Sequence, residues 1–89
     1  MGTLFNLTMT QKEKLINQFF TQATSLSYSQ IEKVLLIFDF EKIPTKGSHN
    51  KFKNPKLKYD LVIPVHNNEC KDFYKKLASK IVKEINNIN

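Results

Sequence analysis

The stretch Lys46-Gly47-Ser48-His49-Asn50-Lys51-Phe52-Lys53 sets one imidazole and one hydroxyl beside a glycine, an aromatic ring and a run of lysines. An imidazole can take and return a proton near neutral pH, and ammonium groups attract phosphate, so these residue types together could move a proton on a phosphodiester. The chain's other soft or titratable candidates are His66 and its single cysteine, Cys70. Three zinc ligands drawn from His49, His66 and Cys70 would lack a fourth partner and the usual ligand spacing, so no metal site is expected. Cys70 stands at the start of a helical pattern with no histidine placed beside it by sequence, which argues against a nucleophilic thiol.

Charge points the same way. All fourteen cationic side chains are lysines, and the net charge is +6. Recognition must therefore use flexible point charges rather than bidentate guanidinium forks. Residues 1–41 hold three lysines against four acids, whereas residues 42–58 hold six lysines and no acid. A polyanion would land on that second block.

The elements that must carry these residues can be read from periodicity. Thr10 and Glu13 have capping-box spacing, and Leu15, Ile16, Phe19, Phe20 and Ala23 then form one helical stripe. Ser29 and Glu32 have the same spacing ahead of Ile31, Val34, Leu35 and Phe38, which predicts a second amphipathic helix ending near Phe38. From Phe40 the period changes to that of strands. Pro44 limits the first strand to a sheet edge, Lys46 and Gly47 supply a turn, and a second strand covers residues 48–53. A four-residue turn at 54–57 would pair Phe52 with Tyr59, both facing the core, in a third strand where Tyr59, Leu61, Ile63 and Val65 alternate. Phe73, Leu77, Ile81 and Ile85 close the chain as a helix, widened by Tyr74, Ala78 and Val82 and capped by Asn68.

With Phe52 inward, His49, Lys51 and Lys53 fall together on the opposite face of the sheet. The same register puts Val62 beside His49 and Asp60 beside Lys51, and sets His66 opposite Thr45, about 13 Å along the strand from His49's partner. At that distance His66 could not share a phosphate with His49, and it is expected to end the strand or cap the last helix. Ser48 has two readings that stay open: turn chemistry beside Gly47, or a hydrogen bond to phosphate or to the His49 ring. Lys46, Lys51, Lys53 and Lys58 read as a nucleic-acid surface, because no acid within the block balances them.

Phe40, the Gly47-Ser48-His49 triplet seven residues on, an aromatic at Phe52 and a strand end of Pro64-Val65-His66 resemble the HicA family, small bacterial toxins that cleave mRNA. The helices flanking the motif match in order, so the likeness covers about residues 28–85. The resemblance implies an α+β fold like a double-stranded-RNA-binding domain: helix, three-stranded antiparallel sheet, helix. It also implies a metal-independent endoribonuclease without cofactor, with His49 as the catalytic residue, and a HicB-type antitoxin that covers the site. Asp39 departs from the glycine usual before the aromatic, and Pro44 from a common basic residue, so a distorted first strand and a missing phosphate contact are expected. The helix over 10–23 is additional to that core.

At 89 residues with 40% hydrophobic content, one domain spanning 1–89 is expected. The first ten residues lack a signal-peptide pattern, no apolar run could span a membrane, and a lone cysteine fits a reducing compartment, all pointing to a cytoplasmic protein without membrane or small-molecule partners. The alternative to an endoribonuclease is a non-catalytic RNA-binding module of the same fold, which would need the lysines but not the histidine.

Overall fold

The structure, a computed structural model, describes residues 9–88. Residues 1–8, most of the stretch read against a signal peptide, and Asn89 of the C-terminal tail lie outside the described residues. Helix α1 spans Gln11–Thr21, and its start is the expected capping box: the Thr10 hydroxyl accepts from the Glu13 N–H, and the Glu13 carboxylate accepts from the Thr10 N–H. Phe19 on its inner face is fully buried. A single 3-10 turn, Ala23–Ser25, then leads into α2, Tyr28–Ile37.

Helix α2 starts two residues before the position expected from Ser29 and Glu32. Ser27 is the cap, accepting from the Gln30 N–H while the Gln30 side chain accepts from the Ser27 N–H. Tyr28 thereby enters the helix one turn from Glu32, and its hydroxyl donates to the Glu32 carboxylate at 2.6 Å. Lys42 Nζ donates to the same oxygen at 3.0 Å. Burial opposes ionisation of Glu32, but the bonds from Tyr28 and Lys42 outweigh it and hold its carboxyl below the usual range. Burial and the bond to Glu32 push the Tyr28 hydroxyl well above its own.

The end of α2 explains the departure at Asp39. Asp39 adopts φ +68°, its N–H donates to the Leu36 carbonyl at 3.2 Å, and the Phe40 N–H reaches back to the Leu35 carbonyl at 3.0 Å. These two bonds form a Schellman cap, with buried Phe40 packed in the same core as Leu35. Glycine suits such a position because it has no Cβ, and aspartate is among the few L-residues that visit it.

Three antiparallel strands follow in the order β1-β2-β3: β1 (Glu41–Ile43), β2 (His49–Lys53) and β3 (Leu61–Pro64). Strand β1 is an edge strand that stops before Pro44, and its ladder with β2 is regular, so Asp39 and Pro44 leave it short but undistorted. The β2–β3 register differs from the expected one by two residues: Phe52 pairs with Leu61, Lys51 with Val62 and His49 with Pro64. The expected turn at 54–57 does form, with the Leu57 N–H donating to the Asn54 carbonyl at 2.9 Å, but Asn54 at its start is buried and tied down. Its amide donates to the Phe38 carbonyl at 3.1 Å, and its side-chain oxygen accepts from the Lys56 N–H at 2.9 Å. The loop continues past this turn to Asp60, and Tyr59, expected in the core, is 76% exposed.

Helix α3 spans Asp72–Ile85 and begins after Lys71, with no side-chain cap. Asn68, expected there, instead sits with Asn67 at positive φ in a tight turn closed by two bonds between His66 and Glu69. This start rotates the buried face: Lys75, Ala78, Ser79 and Val82 face inward, Leu77, Ile81 and Ile85 are half-buried, and Phe73 is 65% exposed. The buried Lys75 ammonium lies 3.5 Å from the Thr24 carbonyl and 3.8 Å from the Glu69 carboxylate. Helix α3 packs on the 3-10 turn, α1, α2 and β3. Phe19, Ile31, Leu35, Phe52, Ile63 and Val82 belong to one core, so the additional N-terminal helix and the family-like segment share it.

Replacing Asp39 with glycine should relieve the left-handed strain at the α2 cap. Asp39→Gly is expected to stabilise the fold by about 1 kcal/mol, read as a rise of about 4–8 °C in thermal unfolding. A lower melting temperature would mean that the carboxylate makes a compensating contribution.

Candidate nucleic-acid interface

The side-chain alternation of β2 builds the site. Phe52 has no exposure, so its neighbours Lys51 and Lys53, and His49 two residues further back, project from the sheet face opposite the helices. All three are exposed. In the observed register His49 shares that face with Pro64, Lys51 lies between Ile43 and Val62, and Lys53 lies opposite Glu41. The expected neighbours of His49 and Lys51, Val62 and Asp60, are each displaced by the two-residue shift.

His49 is held by its backbone and free in its ring. The Thr45 hydroxyl donates to the His49 carbonyl, and the Val65 N–H donates to the Ser48 carbonyl at 2.7 Å. Among the described residues the imidazole makes no hydrogen bond or ion pair, so both ring nitrogens are open to a ligand. Just before it, Gly47 takes φ +83°, and nothing lies within 4 Å of where a Cβ would stand. The glycine is needed for its dihedral angle and not for space. The half-buried Ser48 turns its backbone into the ladder, and its hydroxyl has no partner among the described residues.

The four lysines expected at the site are exposed, and none forms an ion pair among the described residues, but they divide into two groups. Lys46 in the turn and Lys51 on β2 lie at the His49 end. Lys53 and Lys58 lie at the other end, where they line a cleft with Asp39, Glu41 and Asp60. The Lys58 ammonium sits 5.6 Å from the centre of the Tyr59 ring. Sequence counting missed these acids because they flank the basic block in the chain and enter it only through folding.

The register shift also moves His66. With His49 paired to Pro64, His66 is two residues beyond His49's partner rather than four, and it is exposed. Cys70 is buried, and burial pushes its thiol up against the pull of Lys75, which leaves it far from a reactive thiolate. Among the described residues no three His, Cys, Asp or Glu side chains come together in a way that could hold a metal ion. No described helix is long and apolar enough to cross a membrane.

An α+β fold whose lysine-bearing sheet face and histidine are left open among the described residues defines a small basic module suited to a polyanion. Residues 28–86 match the family described as HicA toxin of bacterial toxin-antitoxin, and the chain belongs to that family. It is thereby placed among the toxins of toxin–antitoxin systems, whose partner is an antitoxin. No curated protein and no solved structure gives a significant match.

Gly47 generates a direct check on the turn that presents His49. Gly47→Ala should cost about 1–2 kcal/mol, and Gly47→Asn clearly less, since asparagine tolerates the left-handed region. Equal melting temperatures for the alanine variant and the parent would show that the turn can take another conformation.

Proposed function

We propose that this toxin is an endoribonuclease that cleaves mRNA by attack of a ribose 2′-OH on the adjacent phosphate, with His49 as the base. The observation that carries the reading is the His49 imidazole: exposed, without a protein partner among the described residues, and on one face with Lys51. His49 takes the 2′-OH proton, the 2′ oxygen forms its bond to phosphorus, and the bond to the 5′ oxygen breaks as that oxygen gains a proton, leaving a 2′,3′-cyclic phosphate and a 5′-hydroxyl. Lys46 and Lys51 offset the charge that grows on the non-bridging oxygens. Ser48, beside them, supplies a hydroxyl for the phosphate or for orienting the ring. The reaction needs RNA because DNA lacks the attacking hydroxyl. It needs no metal, in keeping with the family resemblance, because base and charge stabilisation both come from side chains. Lys53 and Lys58 hold the strand away from the scissile bond. A HicB-type antitoxin, offering carboxylates to the same lysines, would compete with RNA and silence the enzyme.

His49→Ala should reduce cleavage of total RNA by at least about 10²-fold, because general acid–base groups contribute 10²–10⁴. The protein should stay folded, and growth arrest on expression should be lost. Cleavage by the parent chain should persist in EDTA. Full activity in a folded His49→Ala variant would sink this mechanism, and activity abolished by EDTA would point to metal-assisted hydrolysis. RNA bound tightly but left intact by the parent chain would establish the non-catalytic binding module instead.

The lysine grouping adds a second measurement. Lys51→Ala should reduce the log-log salt slope of RNA affinity by about 0.7, the value of one phosphate contact on a single strand. Lys53→Ala should change it less, because Glu41 already faces that lysine across the ladder. An unchanged slope for both variants would remove the strand face as the RNA surface.

A further inference from the structure

We propose that His66 is the second catalytic residue of this site, the proton donor to the leaving 5′ oxygen, on the ribonuclease reading in which His49 is the base. The ladder between β2 and β3 carries the inference. His49 pairs with Pro64, and the Val65 N–H still donates to the Ser48 carbonyl at 2.7 Å, so the two segments run side by side past the end of β3. His66 is the next residue. By strand parity it shares the open face with Pro64 and hence with His49. A residue two positions beyond the direct partner is a diagonal neighbour, about 7–8 Å away between Cα atoms and within reach of a ring.

The position of His66 is fixed by more than the ladder. Its N–H donates to the Glu69 carbonyl at 2.8 Å, and the Glu69 N–H returns to the His66 carbonyl at 2.9 Å. Asn67 and Asn68, at φ +52° and +65°, close this two-residue turn in the left-handed conformation that asparagine tolerates. The turn holds the His66 backbone while the exposed imidazole makes no side-chain bond among the described residues. A fixed backbone with a free ring is what a proton donor requires. Two such rings, each reaching a phosphodiester oxygen through a hydrogen bond of about 2.8 Å, span a phosphate between them.

The step balances without any further reactant. His49 accepts the 2′-OH proton as the 2′ oxygen bonds to phosphorus, and the bond from phosphorus to the 5′ oxygen breaks. The His66 imidazolium gives its proton to that oxygen, leaving a 2′,3′-cyclic phosphate and a 5′-hydroxyl. Solvent then exchanges protons with the two rings and restores them.

The test compares kcat/KM for an RNA oligonucleotide containing a cleavage site mapped with the parent protein, and for the same oligonucleotide with sulfur in place of the bridging 5′ oxygen. A thiolate leaves without being protonated, so the sulfur substrate removes the need for the donor alone. His66→Ala and His66→Gln should each lose about 10²-fold or more on ordinary RNA. At least tenfold of that loss should disappear on the sulfur substrate, with melting temperatures near the parent's. His49→Ala should stay impaired on both substrates. Parental activity of the His66 variants, or an equal loss on both substrates, would overturn the role of His66 and leave His49 as the base. A parent protein that cleaves neither substrate, or a fully active His49→Ala, would instead overturn the ribonuclease reading and take His66 with it.

Discussion

Phe52 is the next-to-last residue of the central strand and has no exposed surface, and its burial decides the side on which every other residue of β2 stands. Because the side-chain period of a strand is two, anchoring this ring in the core sends His49, Lys51 and Lys53 to the other face together. Slipping β2 by one residue would bury Lys51 or Lys53 among apolar side chains and expose Phe52. Truncating a buried phenylalanine costs about 3–5 kcal/mol, a large share of the roughly 5–15 kcal/mol that holds a domain together. The cationic face thus exists because the alternative parity is forbidden by the core, and no attraction among the lysines is needed to assemble it.

Parity alone does not set which residues are neighbours, and here a buried amide takes over. Asn54 uses both ends of its side chain, one on the Phe38 carbonyl at the end of α2 and one on the Lys56 N–H. The α2 end is itself closed by the left-handed Asp39, so the same few residues direct the chain into β1 and tie down the loop between β2 and β3. A buried polar group left unpaired costs about 1–3 kcal/mol, so Asn54 fixes where the loop starts, and beyond its turn at 54–57 the loop extends to Asp60. The two added residues bring His66 from a remote position to the corner occupied by His49. Site geometry at one end of the sheet therefore depends on a hydrogen bond at the other.

The features legible in sequence are those governed by a repeating pattern. The α1 capping box, both N-terminal helical stripes, the edge position of β1 before Pro44 and the outward face of His49 all follow from periodicity or from a proline that cannot donate. The misjudged features turn on a choice between equivalent local signals. Ser27 with Gln30 and Ser29 with Glu32 offer the same cap spacing, and the tie is broken by Tyr28 bonding to Glu32, which in turn holds Lys42. Asn54 is the turn former that it reads as, but its bond to the Phe38 carbonyl and the extension of the loop beyond its turn have no local signal. Asn68 suits a cap or a left-handed turn equally well, and only the bonds between His66 and Glu69 select the turn. Lys75 lies inside because its ammonium finds the Thr24 carbonyl and Glu69, partners that no helical pattern reveals.

The division of charge along the open face bears on how a chain with lysine as its only strong cation could orient a polyanion. Point charges on flexible stems provide attraction without fixed geometry, so direction has to come from contrast along the surface. Lys46 and Lys51 stand near His49 with no acid registered across the ladder from Lys51, whereas Lys53 and Lys58 share their cleft with Asp39, Glu41 and Asp60. Phosphates crowded at the first end are attracted, and the same phosphates moved toward the second meet carboxylates. A strand laid on this face is thereby drawn to place its densest contact over the histidine corner. An acidic antitoxin segment would be drawn to the same end for the same reason, so one electrostatic gradient can position the proposed substrate and its competitor.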